Sequence, residues 1–255
     1  MKIFYSFFCF FLFFVSSVGA GEIVDLTHSF SQNTIYWPTE KGFELEKIGW
    51  TKTPQGYFYA ANLFKAPEHG GTHIDAPVHF TQGGRSVDEI PPSQLVGQAA
   101  VIDVRPACAK DRDYEISKKD VQSWEKNHGP LGAEDIVLFY TGWDKYWGDK
   151  KKYLGTDKFA DVKNLHFPGI SSEAANYLKN KNIKGVGLDT PSLDHGPSHS
   201  FMSHRILLNA NIYGIENVTC LDKLPARGVN LYVAPMKIEQ GTGAPVRIFA
   251  VLPAS

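Results

Sequence analysis

The sequence predicts an α/β protein: a single domain with a mixed central β-sheet or a partly closed barrel, flanked by helices. Short apolar runs with β-branched residues alternate with helix-like segments along most of the chain. The chain has 255 residues, of which 43% are hydrophobic, enough for one sizeable core. No internal repeat or long flexible linker divides it, so we expect residues 21–255 to form one domain.

Strands are predicted where apolar runs end at Gly, Pro or Asp. Residues 99–104, 135–140 and 184–188 have the pattern of buried strands. Two further runs, residues 229–238 and 246–252, lie around a Gly-Thr-Gly turn and predict paired strands that close the sheet.

Helices are predicted between these strands. Residues 117–127 open with Ser-x-x-Asp, which resembles a capping box, and a second helix starts at Ser171 or Ser172 and runs to about Lys181. Residues 142–167 are rich in Lys, Asp and aromatic residues and indicate an irregular surface loop.

The N-terminus has the features of a secretory signal peptide. Lys2 precedes an apolar run over residues 3–15, and small residues stand at Val18 and Ala20. An uncleaved anchor is the alternative, but the run is shorter than the ~20 residues that a spanning helix needs. We expect cleavage after about residue 20, secretion or residence in the secretory lumen, and no membrane attachment afterwards.

The charge balance excludes one class of partner. Removal of residues 1–20 takes away Lys2 and no acid, which leaves a formal charge of −2. The sequence has no basic stripe and no RNA-binding signature, so we do not expect a nucleic-acid partner.

The sequence is compatible with two covalent modifications, a disulfide bond and a glycan. Cys108 and Cys220 remain after signal cleavage and either pair or stay free thiols, since sequence does not show whether their Cα atoms come within about 7 Å. Asn217 begins the sequon Asn-Val-Thr and is a possible glycan acceptor.

One stretch, residues 69–80, brings together His69, His73, Asp75 and His79. A Gly-Gly pair inside the spacing and a proline after it oppose a helix, so the backbone is extended or turning. Alternate residues of an extended chain share a side, so three of these groups can face one cavity while the glycines bring in His69.

Imidazole and carboxylate side chains in such a cluster are typical of a catalytic metal site. They suit Zn²⁺, Fe²⁺ or Mn²⁺, and three protein ligands leave a coordination position open. An ion in such a site lowers the pKa of a bound water from about 15.7 toward ~7. The cluster therefore predicts hydrolytic chemistry.

The motif His69-x-Gly71-Thr72-His73-x-Asp75-Ala76-Pro77-x-His79-Phe80 closely resembles the signature of the cyclase-like metal-dependent hydrolases. This family includes bacterial kynurenine formamidases and isatin hydrolases. The resemblance extends from about residue 22 to the C-terminus, through residues 25–30, 36–38, 167–171 and 187–194.

The resemblance implies one or two divalent ions, Zn or Mn, in each subunit. The first ion would be held by His69, His73 and Asp75. In two-metal members the aspartate bridges to a second ion, which implies that Asp75, His204 and Glu216 hold it here.

Further roles also follow from the resemblance. His79 would transfer a proton between water and the leaving nitrogen, and a positioned acid/base of this kind contributes about 10²- to 10⁴-fold to the rate. Trp37 would contact an aromatic substrate, and the protein would be a homodimer or a higher homo-oligomer.

These observations predict a secreted, metal-dependent hydrolase of an amide or formamide C–N bond in a small molecule, similar to arylformamidases or isatin hydrolases. Two alternatives remain: a secreted metal- or small-molecule-binding protein without catalysis, and an esterase or lactonase on the same scaffold. Sequence does not determine the metal, the substrate or the size of the oligomer.

Overall fold

The computed structural model describes residues 21–253. The predicted signal peptide, residues 1–20, lies outside the described residues. Across residues 21–253, no helix combines the length and the apolar character that crossing a membrane requires.

Twelve strands form within residues 21–253, and eight of them belong to one sheet. They are β1 (Ile23–Asp25), β2 (Glu44–Lys52), β3 (Phe58–Lys65), β4 (His73–Asp75), β5 (Val96–Asp103), β6 (Glu115–Ile116), β7 (Asp135–Tyr140), β8 (Gly169–Ile170), β9 (Gly185–Leu188), β10 (Tyr213–Glu216), β11 (Asn230–Pro235) and β12 (Gly243–Val251).

The main sheet closes into a seven-stranded mixed barrel. Its order is β12-β11-β5-β7-β9-β10-β4, and β4 also pairs with β12, which completes the ring. The strands from β5 to β10 run parallel, whereas β4 is antiparallel to both of its neighbours. The predicted fold class is thus confirmed, with the barrel fully closed and β1 added antiparallel to β12.

Five α-helices flank the barrel in the described part of the chain: α1 (Arg105–Cys108), α2 (Lys118–His128), α3 (Lys150–Leu154), α4 (Ser172–Lys179) and α5 (Met202–Leu208). The predicted caps of α2 and α4 are present. The Ser117 hydroxyl accepts from the Asp120 amide at 3.3 Å, and the Ser171 hydroxyl accepts from the Ala174 amide at 3.1 Å. Each cap satisfies an amide that has no partner within its helix.

Two apolar clusters share the strands of the barrel. Ala99 and Val101 of β5 belong to the cluster inside the barrel, whereas Ala100 and Ile102 pack in the cluster between the barrel and the helices. This division follows from the two-residue period of a strand. Because both faces of the barrel wall are buried here, the strand sequence is continuously apolar, as the prediction assumed.

The prediction of an irregular surface loop over residues 142–167 is wrong. This segment contains α3 and contributes Trp143, Tyr153, Leu165 and Phe167 to a third buried apolar cluster. The lysine residues of the segment face solvent, and so does Phe159, whereas Trp143, Tyr153 and Phe167 pack inward. Burial of these rings, rather than local sequence pattern, determines the structure here.

The β2–β3 hairpin is an element that the sequence did not predict. Its two strands pair only with each other, through eight residue pairs with one bulge, and most of its side chains are exposed on both faces. A strand exposed on both faces lacks the apolar and polar alternation by which a half-buried strand is recognised.

The two cysteines within residues 21–253 are free. Cys108 is buried and Cys220 is partly exposed, and no disulfide joins them. Burial raises the pKa of the Cys108 thiol to about 12.

Candidate metal centre and cavity

The strand that closes the barrel carries the central residues of the site. Ile74 packs inside the barrel, so its neighbours His73 and Asp75 lie on the outer face of the wall. Glu216 ends the neighbouring strand β10 and is paired with His73, and Ile215 beside it faces the interior. Barrel closure thus places a carboxylate from far along the chain beside the histidine cluster.

Turns on either side of β4 bring the other two histidines of the cluster to the same place. Gly71 has φ +60°, in the left-handed region, and a Cβ there would lie 2.6 Å from the ring of Phe30. His69 Nδ1 consequently lies 2.7 Å from Asp75 Oδ1. His79 ends a short 3₁₀ turn and stacks on His69, with ring centroids 3.8 Å apart.

His204 approaches from helix α5, and it is buried. Its Nε2 atom lies 3.1 Å from Glu216 Oε1 and 3.4 Å from Asp75 Oδ2. The predicted ligands from two distant parts of the sequence therefore meet in one centre.

Two buried atoms of this centre lack a hydrogen bond within residues 21–253: His73 Nε2 and Asp75 Oδ2. Burial disfavours the charged form of His73, but its contacts with Asp75 and Glu216 outweigh this and raise the pKa of the imidazole to about 9. Burial likewise opposes ionisation of Asp75, but the three neighbouring histidines hold the pKa of this carboxyl well below its usual range. Two buried carboxylates with unpaired donor atoms beside them fit a bound divalent cation.

The donor atoms form two overlapping sets, and Asp75 belongs to both. Donor atoms of His73, Asp75 and Glu216 lie within 4.8 Å of one another, and so do those of His69, Asp75 and His79. A shared aspartate is compatible with either one or two ions. The assignment of His69, His73 and Asp75 to one ion, and of Asp75, His204 and Glu216 to a second, stays a prediction.

The imidazoles of His73 and His204 are each oriented by a hydrogen bond on the side that faces away from the centre. His73 Nδ1 lies 3.0 Å from the Gly71 carbonyl, and His204 Nδ1 lies 2.7 Å from Asp194 Oδ2. Asp194 also accepts from the backbone amides of Ser203 and His204 at the start of α5. Both Nε2 atoms are thereby directed at the centre, which is how proteins commonly orient metal-binding histidines.

We expect Asp194→Asn to weaken metal binding by about 10- to 100-fold, because the amide does not hold the His204 ring as the carboxylate does. A competition titration against a chelator measures this change. Asp113→Asn is a matched control, since Asp113 Oδ2 makes a similar 2.7 Å contact with His166 Nδ1 away from the centre. Equal affinities in the two variants would contradict a positioning role for Asp194.

The centre lies at the base of a cavity of about 340 Å³. Trp37, Phe80 and Phe201 line it, with the Phe201 ring 6.4 Å from Trp37 and 5.5 Å from Phe80. Trp37 lines the cavity, and its contact with an aromatic substrate stays a prediction. Phe201 has φ +49° and ψ +44°, a left-handed conformation that is strained for phenylalanine and is often found at functional sites.

His79 is partly exposed beside this cavity. Burial lowers the pKa of its imidazole to about 4, so the ring is neutral near pH 7 and can accept a proton. Its location above His69 is compatible with the predicted proton transfer, which stays a prediction.

Sequence reasoning missed three residues of the site: Asp194, Phe201 and Thr242. Asp194 belongs to a segment, residues 187–194, that the family resemblance placed near the pocket. This resemblance was the one sequence feature that could have indicated a role for Asp194. Thr242, whose hydroxyl lies 2.9 Å from His69 Nε2, follows Gly241 in a turn with no local mark of function. Each depends on contacts between distant parts of the chain.

The possible glycan at Asn217 is incompatible with this fold. The side chain is buried, and its Nδ2 donates to the Gly71 carbonyl at 2.6 Å. Its Oδ1 accepts from the Tyr153 hydroxyl at 2.7 Å. Asn217 instead ties strand β10 to the glycine turn of the histidine cluster.

A closed mixed barrel with a buried histidine and carboxylate centre on its outer face defines a class of candidate metal-dependent hydrolases. The comparisons with known proteins agree. The family model described as "Putative cyclase" matches residues 24–195. The chain belongs to this cyclase family, which confirms the resemblance that its motif indicates.

Named relatives of this chain are hydrolases. An isatin hydrolase from Roseibium aggregatum is 34% identical, over 92% of this chain and 93% of the relative. A kynurenine formamidase from Bacillus cereus is 28% identical, over 89% and 96% respectively. The crystal structure of an isatin hydrolase bound to the product analogue thioisatinate superimposes with a TM-score of 0.83 at 34% identity, over 91% and 93%. The predicted enzyme class is confirmed.

Proposed function

We propose that this chain is a metal-dependent hydrolase that cleaves the C–N bond of an aryl amide, formamide or cyclic aryl amide. One observation carries the proposal: His73 Nε2 and Asp75 Oδ2 are buried and unpaired at the base of an aromatic-lined cavity. The names of the relatives, isatin hydrolase and kynurenine formamidase, support the same class of bond.

We assign the residues of the site separate roles in hydrolysis. A divalent ion held by the centre would polarise the substrate carbonyl and activate a water molecule. His79 accepts a proton from the attacking water and delivers it to the leaving nitrogen. The C–N bond breaks, the nitrogen becomes an amine and the acyl carbon becomes a carboxylic acid that ionises; an open amide gives two products, and a cyclic amide gives one opened product. Trp37 and Phe201 hold the aryl ring in place.

A substrate panel tests this proposal. Purified protein loaded with Zn²⁺ or Mn²⁺ is assayed on formanilide, N-formylkynurenine and isatin, and on matched aryl esters and lactones. We expect hydrolysis of at least one amide that stops when a chelator removes the metal. Tight binding without turnover would favour the non-catalytic binding protein, and a preference for esters or lactones would favour an esterase or lactonase.

We also propose that the protein is a homodimer formed through the β2–β3 hairpin. Eight large apolar side chains of the hairpin are between 49% and 64% exposed: Leu45, Ile48, Trp50, Tyr57, Phe58, Tyr59, Leu63 and Phe64. Together they expose on the order of 800 Å², since a large side chain offers about 150–250 Å². That area matches one side of a stable interface in which a partner subunit covers both faces of the hairpin.

We expect the double variant Trp50→Ser, Phe58→Glu to be monomeric, because it removes two of the largest rings and adds a charge to the hairpin. Light scattering coupled to size-exclusion chromatography measures the mass. Phe159→Glu is the control: Phe159 is 71% exposed but lies outside the hairpin, so this variant should remain dimeric. A monomeric wild-type protein would overturn the proposal.

We propose, finally, that residues 1–20 are a cleaved secretory signal and that the mature chain begins near Gly21. Intact mass measurement of protein from the culture medium should give a chain that lacks these residues. Leu12→Arg interrupts the apolar run and should keep the protein in the cell. Full-length chain in the medium would contradict cleavage.

A further inference from the structure

His69 differs from the other two histidines around Asp75 in the nitrogen that it directs at this carboxylate. Its Nδ1 atom lies 2.7 Å from Asp75 Oδ1, whereas its Nε2 atom lies 2.9 Å from the Thr242 hydroxyl. His73 and His204 have the opposite orientation, with Nδ1 hydrogen-bonded away from the centre and Nε2 directed at it. A neutral imidazole carries a proton on one nitrogen and a lone pair on the other, so the partner of Nε2 decides which nitrogen of His69 can bind a metal.

The Thr242 hydroxyl donates its single proton to Glu68. Glu68 Oε2 accepts from the Thr242 amide at 3.0 Å and from the Thr242 hydroxyl at 2.5 Å. A carboxylate only accepts hydrogen bonds, so the hydroxyl is the donor in this short contact. Because a hydroxyl has one proton to donate, Thr242 presents a lone pair to His69 Nε2.

The direction of these hydrogen bonds places the ring proton of His69 on Nε2. This N–H donates to the Thr242 oxygen at 2.9 Å and leaves the lone pair of the ring on Nδ1, which lies 2.7 Å from Asp75 Oδ1. A nitrogen lone pair and a carboxylate oxygen at this distance repel each other unless they share a cation. A divalent ion bound by both atoms meets that requirement, and proteins commonly fix the tautomer of a metal-binding histidine through such an outer hydrogen bond.

Closure of the barrel fixes the position of Thr242. This residue directly precedes β12, whose first residue, Gly243, pairs with Asp75 of β4. The Thr242 carbonyl also accepts from the Ala76 amide at 2.9 Å. A Cβ on residue 243 would lie 2.5 Å from His69 Cε1, so glycine is needed for the ring to lie this close to the strand. The hydroxyl is thus held against the strand that carries Asp75.

We infer that Glu68 and Thr242 are positioning residues that hold His69 in the Nε2–H tautomer, so that this histidine binds a metal through Nδ1. The inference rests on the metal-binding part of the proposed function and adds to it two residues that act through His69. The His69 ring also stacks on His79, with ring centroids 3.8 Å apart. The same hydrogen bonds therefore fix the ring against which the proposed proton carrier packs.

Threonine substitutions test the inference through zinc affinity, which competition with a chelator measures. Thr242→Val keeps the shape and removes the hydroxyl, so it should weaken zinc binding by about 10- to 100-fold. Thr242→Ser keeps a hydroxyl and should recover most of this loss. Thr156→Val is the matched control, because the Thr156 hydroxyl also donates to a carboxylate, Asp161 Oδ2 at 2.8 Å, but does not line the cavity. This control should bind zinc as the wild-type protein does.

NMR of protein with ¹⁵N-labelled histidine reads the tautomer directly and needs no turnover. In the zinc-loaded wild-type protein we expect the ring proton of His69 on Nε2, and those of His73 and His204 on Nδ1. Substitution of one histidine at a time assigns the signals. Glu68→Ala frees the Thr242 hydroxyl to donate to Nε2 instead, so part of the molecules should lose the Nε2 proton and zinc binding should weaken.

The outcomes separate this inference from the proposed function. Unchanged zinc affinity in Thr242→Val, an equal loss in Thr156→Val, or a His69 ring with its proton on Nδ1 overturns the inference and leaves the hydrolase function standing. If the wild-type protein binds no zinc, the proposed function fails, and the spectrum of the metal-free protein decides whether Nε2 donates to Thr242. If Thr242→Val fails to fold, the wild-type spectrum and Glu68→Ala decide the matter.

Discussion

Asp75→Ala is expected to lose the bound metal and to lower kcat/KM by at least about 10³-fold. Asp75 Oδ1 lies 2.7 Å from His69 Nδ1 and 3.3 Å from His73 Nε2, and its Oδ2 lies 3.4 Å from His204 Nε2. No other side chain contacts all three imidazoles in the described structure. Metal assistance contributes several kcal/mol to such reactions, and each 1.36 kcal/mol corresponds to a factor of ten.

Elemental analysis after dialysis measures the metal, and steady-state kinetics measures the loss of activity. Circular dichroism establishes that the variant folds, because removal of a buried carboxylate also destabilises the protein. Asp25→Ala is the control: Asp25 is exposed and pairs with Arg247 on the barrel surface. Full metal content in Asp75→Ala would exclude this residue as a ligand.

His79→Ala is expected to keep its metal and to lose about 10²- to 10⁴-fold in kcat. The His79 ring stacks on His69 beside the cavity, whereas the unpaired buried donors belong to His73 and Asp75. The variant therefore removes the proposed proton acceptor and leaves the proposed buried ligands in place.

The result also decides between two roles for His79. Its donor atom lies within 4.8 Å of those of His69 and Asp75, so a metal ligand is the competing role. Loss of metal from His79→Ala would support that role, and wild-type turnover would exclude both roles. His199→Ala, in an exposed loop, is the control and should match the wild-type enzyme.

The sequence correctly predicted those elements that depend on interactions between residues close together in the chain. The strand predicted over residues 135–140 is β7 (Asp135–Tyr140), because a continuously apolar run is stable only where both faces are buried. Ser117 and Ser171 cap their helices as predicted, since a cap involves residues only three positions apart. The predicted helix end near Lys181 was two residues too long, because helix ends carry weak signals.

The errors occur where distant residues decide the structure. Residues 142–167 resemble a surface loop in composition, yet Tyr153 and Phe167 are fully buried because the chain folds back over them. The β2–β3 hairpin escaped prediction for the opposite reason: its apolar residues are exposed on both faces, and no alternating pattern reveals a core.

The sequence by itself determined the family and the fold class. It also predicted a metal-ligand role for His69, His73 and Asp75, because these groups lie within seven residues and a Gly-Gly turn allows them to converge. Only the tertiary structure decided how the site is completed. Barrel closure pairs His73 with Glu216, and helix α5 brings in His204 with Asp194 behind it. It also placed Glu68 and Phe201 at the cavity, since side chains far apart in sequence meet only when the barrel closes and its outer face is covered.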